Sequence, residues 1–166
     1  SVKVHGYVSA ANVFSVAPME IFAGKIVALL SRAAARDLYD INNMLNYGLF
    51  DEAEQDMLRR CVVYYSAVCG ERAPETFDID RIGSLTKYKI KTDLFPVIRK
   101  TERFDLAAAQ NRVKTYLTEL LVQTDAERSF CDAFRNKDYS PELLFHGEML
   151  ERVKNHPMAL WKCQEI

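Results

Sequence analysis

The sequence lacks an uncharged apolar run long enough to span a bilayer, which takes roughly 18 residues or more. Its most apolar stretch, from Val13 to Leu30, is interrupted by Glu20 and Lys25. The chain opens on Ser-Val-Lys-Val-His-Gly-Tyr-Val, which lacks the basic start and apolar block of a signal peptide. We therefore expect no membrane partner.

An excess of one charge and closely spaced cysteines are also missing. The net charge is -1, so the global charge gives no argument for binding nucleic acid. The four cysteines are scattered without a CxxC spacing, which favours reduced thiols in a cytoplasmic protein. No set of histidines and cysteines has the spacing of a metal site, and no metal ligand is assigned in this chain. The cysteines are Cys61, Cys69, Cys131 and Cys163.

Apolar residues make up 49% of the 166 residues, enough for a packed core, and their spacing predicts a mainly α chain. The alternation of Val2, Val4 and Val8 predicts one strand over residues 2 to 8. A single terminal strand cannot stand alone, so it should pair with strands outside this chain. We therefore expect a fragment or a processed product. Longer helices are predicted at 18–32, 37–47, 52–69, 105–122 and 125–136, and shorter ones near 79–84, 93–99, 141, 147–154 and 157–163.

Lys25 is the most informative residue, because a cation within an apolar helix costs free energy unless an anion meets it. One interpretation is a lysine whose stem covers apolar surface while its ammonium reaches water. The other is a cation that binds a polyphosphate. The spacing alone leaves both open.

Two aspartates follow within about a dozen residues and could meet Lys25. Asp37 could instead be the N-cap of the second helix, with Asp40 at the third position, which needs no function. The functional interpretation places one or both aspartates near a metal, a nucleotide or Lys25. Arg36 would then be a salt-bridge partner or a phosphate contact.

Together these residues resemble the signature of the AbiEii/AbiGii abortive-infection toxins, which are nucleotidyltransferases. The later segments at 94–99, 139–145 and 156–162 resemble the helical C-terminal half of that family, so the resemblance covers most of the chain. The signature residues are Glu20, Lys25, Ala28, Arg32, Arg36, Asp37, Tyr39 and Asp40.

The resemblance implies a two-part parent, with a polymerase-β-type domain whose Gly-Ser and Asp-x-Asp motif holds Mg²⁺ and a nucleoside triphosphate. This sequence does not contain that motif in order, since Asp78-Ile79-Asp80 precedes Gly83-Ser84 and suits the cap of a short helix. The chain would begin after the first half, in the last strand of the transferase sheet. Carried over by residue, Lys25 would contact the triphosphate and Tyr39 would pack beneath the site.

The resemblance makes Asp37 and Asp40 catalytic candidates and makes Lys25, Arg32 and Arg36 nucleotide-binding candidates. Residues 1–48 would end the transferase-like domain, and residues 49–166 would form a helical bundle. The parent would transfer a nucleotide to an acceptor, with RNA as the candidate, and act as a toxin beside an antitoxin. We expect the isolated chain to be inactive and to hold no cofactor. The alternative is a non-enzymatic helical interaction module with a structural Lys–Asp ion-pair network.

A second region sets six cations against Asp93 and Glu102, with Tyr88 and Phe95 interleaved. It could face an RNA acceptor, or it could be a solvated loop whose lysines alternate outward. The cations are Lys87, Lys89, Lys91, Arg99, Lys100 and Arg103.

Overall fold

The computed structural model describes residues 16–164, and within this part of the chain every regular element is helical. The mainly α prediction is therefore confirmed in its coarse form. The predicted strand over residues 2 to 8 lies outside the described residues. None of the helices in residues 16–164 combines the length and the apolar character needed to cross a membrane.

Three long helices open the described chain. Helix α1 spans Val16–Arg32, α2 spans Ala35–Asn46 and α3 spans Glu52–Cys69. Helix α1 packs against both of the others and buries Ala23, Ile26 and Leu29 completely. Helix α3 also contacts α5, α6 and α8, so it is the central helix of the bundle.

The second half of the chain consists of shorter elements around two further helices, α5 at Leu106–Leu120 and α6 at Asp125–Arg135. A one-turn helix α4 at Lys87–Lys89 continues as a π-helical turn at Ile90–Leu94 and a 3-10 turn at Phe95–Val97. Helices α7 at Gly147–Val153 and α8 at Pro157–Lys162 complete the set. Further 3-10 turns lie at Ile79–Ser84 and Pro141–Leu143.

Local sequence fixes several helix ends. Asp51 and Glu54 form a capping box that starts α3, with a distance of 3.0 Å from the Glu54 amide to the Asp51 carboxylate. Thr124 and Glu127 form the same arrangement at α6. Gly48 follows α2 with a φ of +58°, a left-handed conformation that glycine adopts at little cost. The starts of α3 and α6 match the predicted ones, and α2 ends at Asn46, one residue before its predicted end.

The predicted cap of α2 is wrong. Helix α2 begins at Ala35, two residues before Asp37, and its N-cap is Ala34, which has no side chain that could cap. Asp37 therefore lies inside the first turn instead of capping it. Asp78 precedes the turn at Ile79–Ser84, as expected, but its side chain makes no capping hydrogen bond.

Only two residues, Ala33 and Ala34, join α1 to α2. Ala33 has a φ of +51°, an unfavourable conformation for a residue with a side chain. This tight turn makes α1 and α2 a helical hairpin. Residues late in α1 therefore lie close to residues early in α2.

Candidate functional site

The helical hairpin brings together four of the five predicted site residues. Lys25 and Arg32 are seven residues apart on α1, and Asp37 and Asp40 are three apart on α2. Both spacings place the two side chains on one side of their helix. We call this group of two cations and two carboxylates the hairpin cluster.

Lys25 and Asp40 form the closest contact in the hairpin cluster. The Lys25 Nζ donates a hydrogen bond to the Asp40 Oδ2 at 2.6 Å. The two side chains remain 30% and 34% exposed, respectively. The pair is therefore accessible from solvent, and an incoming anion could reach the ammonium.

Asp37 is more deeply buried and less well paired. The nearest cation to its Oδ2 is an Arg32 nitrogen at 3.7 Å, and Oδ2 has no hydrogen-bond partner among the described residues. Burial raises the pKa of the Asp37 carboxyl above its ordinary value of 3.8, and the nearby Arg32 and Lys25 oppose that rise. A buried carboxylate oxygen that lacks a hydrogen bond has unused capacity to accept one.

Arg36, the fifth predicted residue, lies outside the hairpin cluster. It is exposed, and its Nε donates to the Asp93 backbone carbonyl at 3.5 Å, on the π-helical turn. Successive residues of a helix diverge by about 100°, so Arg36 and Asp37 point in different directions. Any role of Arg36 as a phosphate contact stays a prediction.

Tyr39 connects α2 to residues 87–103, which carry the six cations Lys87, Lys89, Lys91, Arg99, Lys100 and Arg103 and which we call the basic segment. Its hydroxyl donates to the Glu102 carboxylate, and its ring packs edge-on against Phe104 with centroids 5.7 Å apart. Burial and the neighbouring Glu102 carboxylate raise the pKa of Tyr39. Tyr39 thus fastens the segment around residue 102 to the hairpin.

The six cations of the basic segment are all exposed, as are Tyr88 at 73% and Phe95 at 48%. Asp93 pairs with Lys89 at 3.7 Å, so one of the six lysines and arginines is partly neutralised within the segment. Through Asp93 and Glu102 the segment is attached to α2, the helix that carries both aspartates. The basic segment and the hairpin cluster therefore share one scaffold.

The fit of the hairpin cluster to Mg²⁺ is poor. No group of three or more His, Cys, Asp or Glu side chains within residues 16–164 is arranged to hold a metal ion. One of the two carboxylates of the cluster already binds Lys25. The cluster therefore offers cations for phosphates and a carboxylate for a proton, but not a metal site by itself.

Two ion pairs were not predicted from the sequence. Glu127 is 2% exposed and accepts hydrogen bonds from the Arg59 Nε at 2.8 and 3.0 Å. Glu20, on α1, accepts from the Tyr65 hydroxyl at 3.0 Å and from Arg152 at 2.8 Å. Because the partners of each pair lie far apart in the chain, no local spacing predicts either pair. The one hint in the sequence is a charged residue within an apolar helical stretch, such as Glu20.

The arrangement is that of a helical protein with a partly exposed lysine paired to a carboxylate. The model of the nucleotidyl transferase AbiEii toxin family, of a type IV toxin–antitoxin system, matches residues 3–136. Because the match covers most of the chain, the protein belongs to this family. Comparisons with curated proteins and with solved structures find no match. Family membership implies a nucleotide substrate and an antitoxin partner.

Proposed function

We propose that the hairpin cluster binds the triphosphate of a nucleotide for transfer to an acceptor, and that the protein acts in the cytoplasm as a toxin. The observation that carries the proposal is the Lys25–Asp40 pair, which is close at 2.6 Å yet about one-third exposed. An exposed lysine held by one carboxylate can exchange that carboxylate for phosphate oxygens. Arg32, whose side chain is 70% exposed, supplies a second cation on the same side of α1.

The proposed reaction forms a bond between an acceptor hydroxyl oxygen and the α-phosphorus and breaks the α–β phosphoanhydride bond. Pyrophosphate leaves, and Lys25 and Arg32 stabilise its charge. Asp37 is the proposed acceptor of the hydroxyl proton, because its buried Oδ2 has no hydrogen-bond partner in residues 16–164. Asp40 positions the Lys25 ammonium. Mg²⁺ would need carboxylates beyond those of the cluster, so we expect no turnover by this chain alone.

We propose RNA as the acceptor and the basic segment as its binding surface. The support is an exposed row of lysines and arginines with two exposed aromatic rings, attached to α2 by Tyr39 and Arg36. Reversing the charge of Lys87, Lys89 and Lys91 in a nucleotidyltransferase parent should weaken RNA binding and flatten its salt dependence. Unchanged affinity and slope would remove the RNA assignment.

The test of the nucleotide site compares two partly exposed lysines that each pair with an aspartate. Lys25→Met should weaken binding of a nucleoside triphosphate by about 10- to 100-fold, as expected for the loss of a charged hydrogen bond. Lys114→Met is the matched control, because Lys114 also pairs with an aspartate, Asp80, at 3.5 Å. Equal binding by both variants would refute the proposal.

The second candidate function is a non-enzymatic interaction module in which the hairpin cluster is purely structural. The same short Lys25–Asp40 contact favours it. This candidate requires the pair to stabilise the fold strongly, whereas the nucleotide site requires it to be easily opened. A double-mutant cycle that measures the coupling energy between Lys25 and Asp40 therefore distinguishes the two candidate functions.

A further inference from the structure

A groove of about 580 Å³ runs between α1 and α3. Arg32 belongs both to its wall and to the hairpin cluster, so the groove begins where the cluster ends. Its size falls within the range of pockets that hold small organic ligands. We call it the α1–α3 groove, and its lining residues on α1 are Glu20, Ile21, Gly24, Val27, Ala28, Ser31 and Arg32, with Tyr65 and Cys69 from α3.

Small side chains on α1 leave open space along this side of the groove. Among these residues, Gly24 gives the clearest evidence that the space is not required by packing. It lies in the interior of an exposed helical surface, where glycine is less favourable than alanine. A Cβ atom built at Gly24 meets nothing within 4 Å, so neither packing within the described residues nor the backbone requires glycine there. The missing side chain instead leaves room over the helix, beside Ala28.

The two ends of the groove differ in chemistry. At one end lies the exposed Arg32, next to the Asp37 Oδ2 that has no hydrogen-bond partner among residues 16–164. At the other end Glu20 holds the Tyr65 hydroxyl at 3.0 Å, which fixes the Tyr65 ring in the wall. Ile21, 44% exposed, adds apolar surface. A cationic end joined to an apolar, aromatic wall fits a ligand with a phosphate tail and a flat aromatic body.

We propose that the α1–α3 groove binds the nucleoside part of the nucleotide whose phosphates contact Lys25 and Arg32. This inference rests on the proposed function and adds the location of the base and sugar. Aromatic rings and low apolar walls bind nucleobases through stacking, which depends little on base identity. The position of Arg32 at the junction makes the groove and the cluster parts of one elongated site.

The test fills the groove without touching the cluster. Gly24→Leu places a side chain over the groove, and Gly24→Ala is the matched control, since both residues favour a helix. Binding to the full chain is measured for each of the four nucleoside triphosphates and for inorganic tripolyphosphate. Gly24→Leu should weaken nucleoside triphosphate binding by at least about tenfold relative to Gly24→Ala, the effect of a lost stacked base. Its tripolyphosphate binding should not change.

The other possible outcomes would refute either the nucleoside location or the proposed function. Equal triphosphate binding by Gly24→Leu and Gly24→Ala would refute the nucleoside location while leaving the phosphate site intact. A parallel loss of tripolyphosphate binding would also refute it. A change in self-association alone, seen by sedimentation, would assign the groove to a second copy of the chain. Failure of Lys25→Met to weaken either ligand, or no binding by the unaltered chain, would refute the proposed function itself.

Discussion

The Lys25–Asp40 pair should contribute little to stability, and this can be measured with a double-mutant cycle. The variants are Lys25→Met, Asp40→Asn and the combination, each compared with the unaltered chain. The quantity of interest is the coupling energy, which is the part of the double variant's effect that the single variants do not explain. A site that must open for a ligand requires a small coupling energy.

The structure sets the expected magnitude. The two side chains are 30% and 34% exposed, so water solvates each charge even when the partner is removed. Pairs of this kind contribute about 0.2–1 kcal/mol, and we expect a coupling energy near the upper end because the contact is only 2.6 Å long. The corresponding change in melting temperature is about 2–4 °C per kcal/mol for a chain of this size.

The assay is urea unfolding followed by circular dichroism, at low salt and at about 1 M salt, where the screening length falls to about 3 Å. The coupling energy should decrease at high salt. The Lys114–Asp80 pair, with 3.5 Å between its charged atoms, serves as a matched cycle for a surface pair without a proposed function.

A coupling energy of about 3 kcal/mol or more would contradict this prediction, because that value is typical of a buried pair whose partner is lost. Recovery of stability in the double variant together with such a value would support the structural network. If a separate binding measurement also showed undiminished nucleotide binding by Lys25→Met, the enzyme interpretation would be refuted.

Three further predictions follow from burial. Asp37→Asn should be more stable than the unaltered chain at neutral pH, because a raised carboxyl pKa means that ionisation is less favourable in the folded state. This gain in stability should shrink as the pH falls toward 3.8, which urea unfolding at several pH values would test. Glu127→Ala should lower the free energy of unfolding by about 1.5–3 kcal/mol, since the Arg59 guanidinium, 15% exposed, loses a buried carboxylate but keeps its contact with Asp56; a loss below about 0.5 kcal/mol would contradict a stabilising pair. Iodoacetamide at about pH 8 should label the exposed Cys69 in the folded chain but not Cys61 or Cys131, because burial raises the pKa values of these two thiols to about 12 and about 11. Mass spectrometry locates the label, and rapid modification of either buried thiol would contradict the prediction.

Helix ends that depend on a few neighbouring residues could be predicted from the sequence. The predicted starts of α3 and α6, at residues 52 and 125, are confirmed, and the capping boxes that the structure shows at both starts involve residues only three apart. The start of α2 could not be predicted in this way. It begins at Ala35 after a two-residue turn with no capping side chain, and in that turn Ala33 has a positive φ that its residue type does not predict.

The π-helical turn at Ile90–Leu94 was also missed. The sequence predicts a short helix near 93–99, whereas the observed turn begins at Ile90 and places Asp93 where its carbonyl accepts a hydrogen bond from Arg36 on α2. Such contacts between residues 57 positions apart leave no local pattern. The division of the chain at residue 48 and the assignment of site roles stay predictions.

The candidate site was more predictable than the rest because one short hairpin builds it. Lys25 and Asp40 are 15 residues apart and meet through a single turn, so their proximity could be anticipated from the sequence. The direction of Arg36 could not, because it depends on which side of α2 the later basic segment covers. The family resemblance thus named the charged residues of the candidate site, and packing between elements decided which of them face one another.

The contrast between two ion pairs supports the proposal that the hairpin cluster, and not the deeper Arg59–Glu127 pair, binds the ligand. Glu127 is almost completely buried, so separating it from its Arg59 partner would leave the Glu127 carboxylate away from water. The Lys25–Asp40 pair can separate with each charge still hydrated, and a triphosphate can then replace the aspartate. Because Arg32 and the start of the α1–α3 groove lie on the same helix, the opened lysine would act next to a second cation and a wall for the nucleoside. Under the proposed function, therefore, the deeper Arg59–Glu127 pair serves the fold, and the more exposed Lys25–Asp40 pair is the one that exchanges its carboxylate for phosphate.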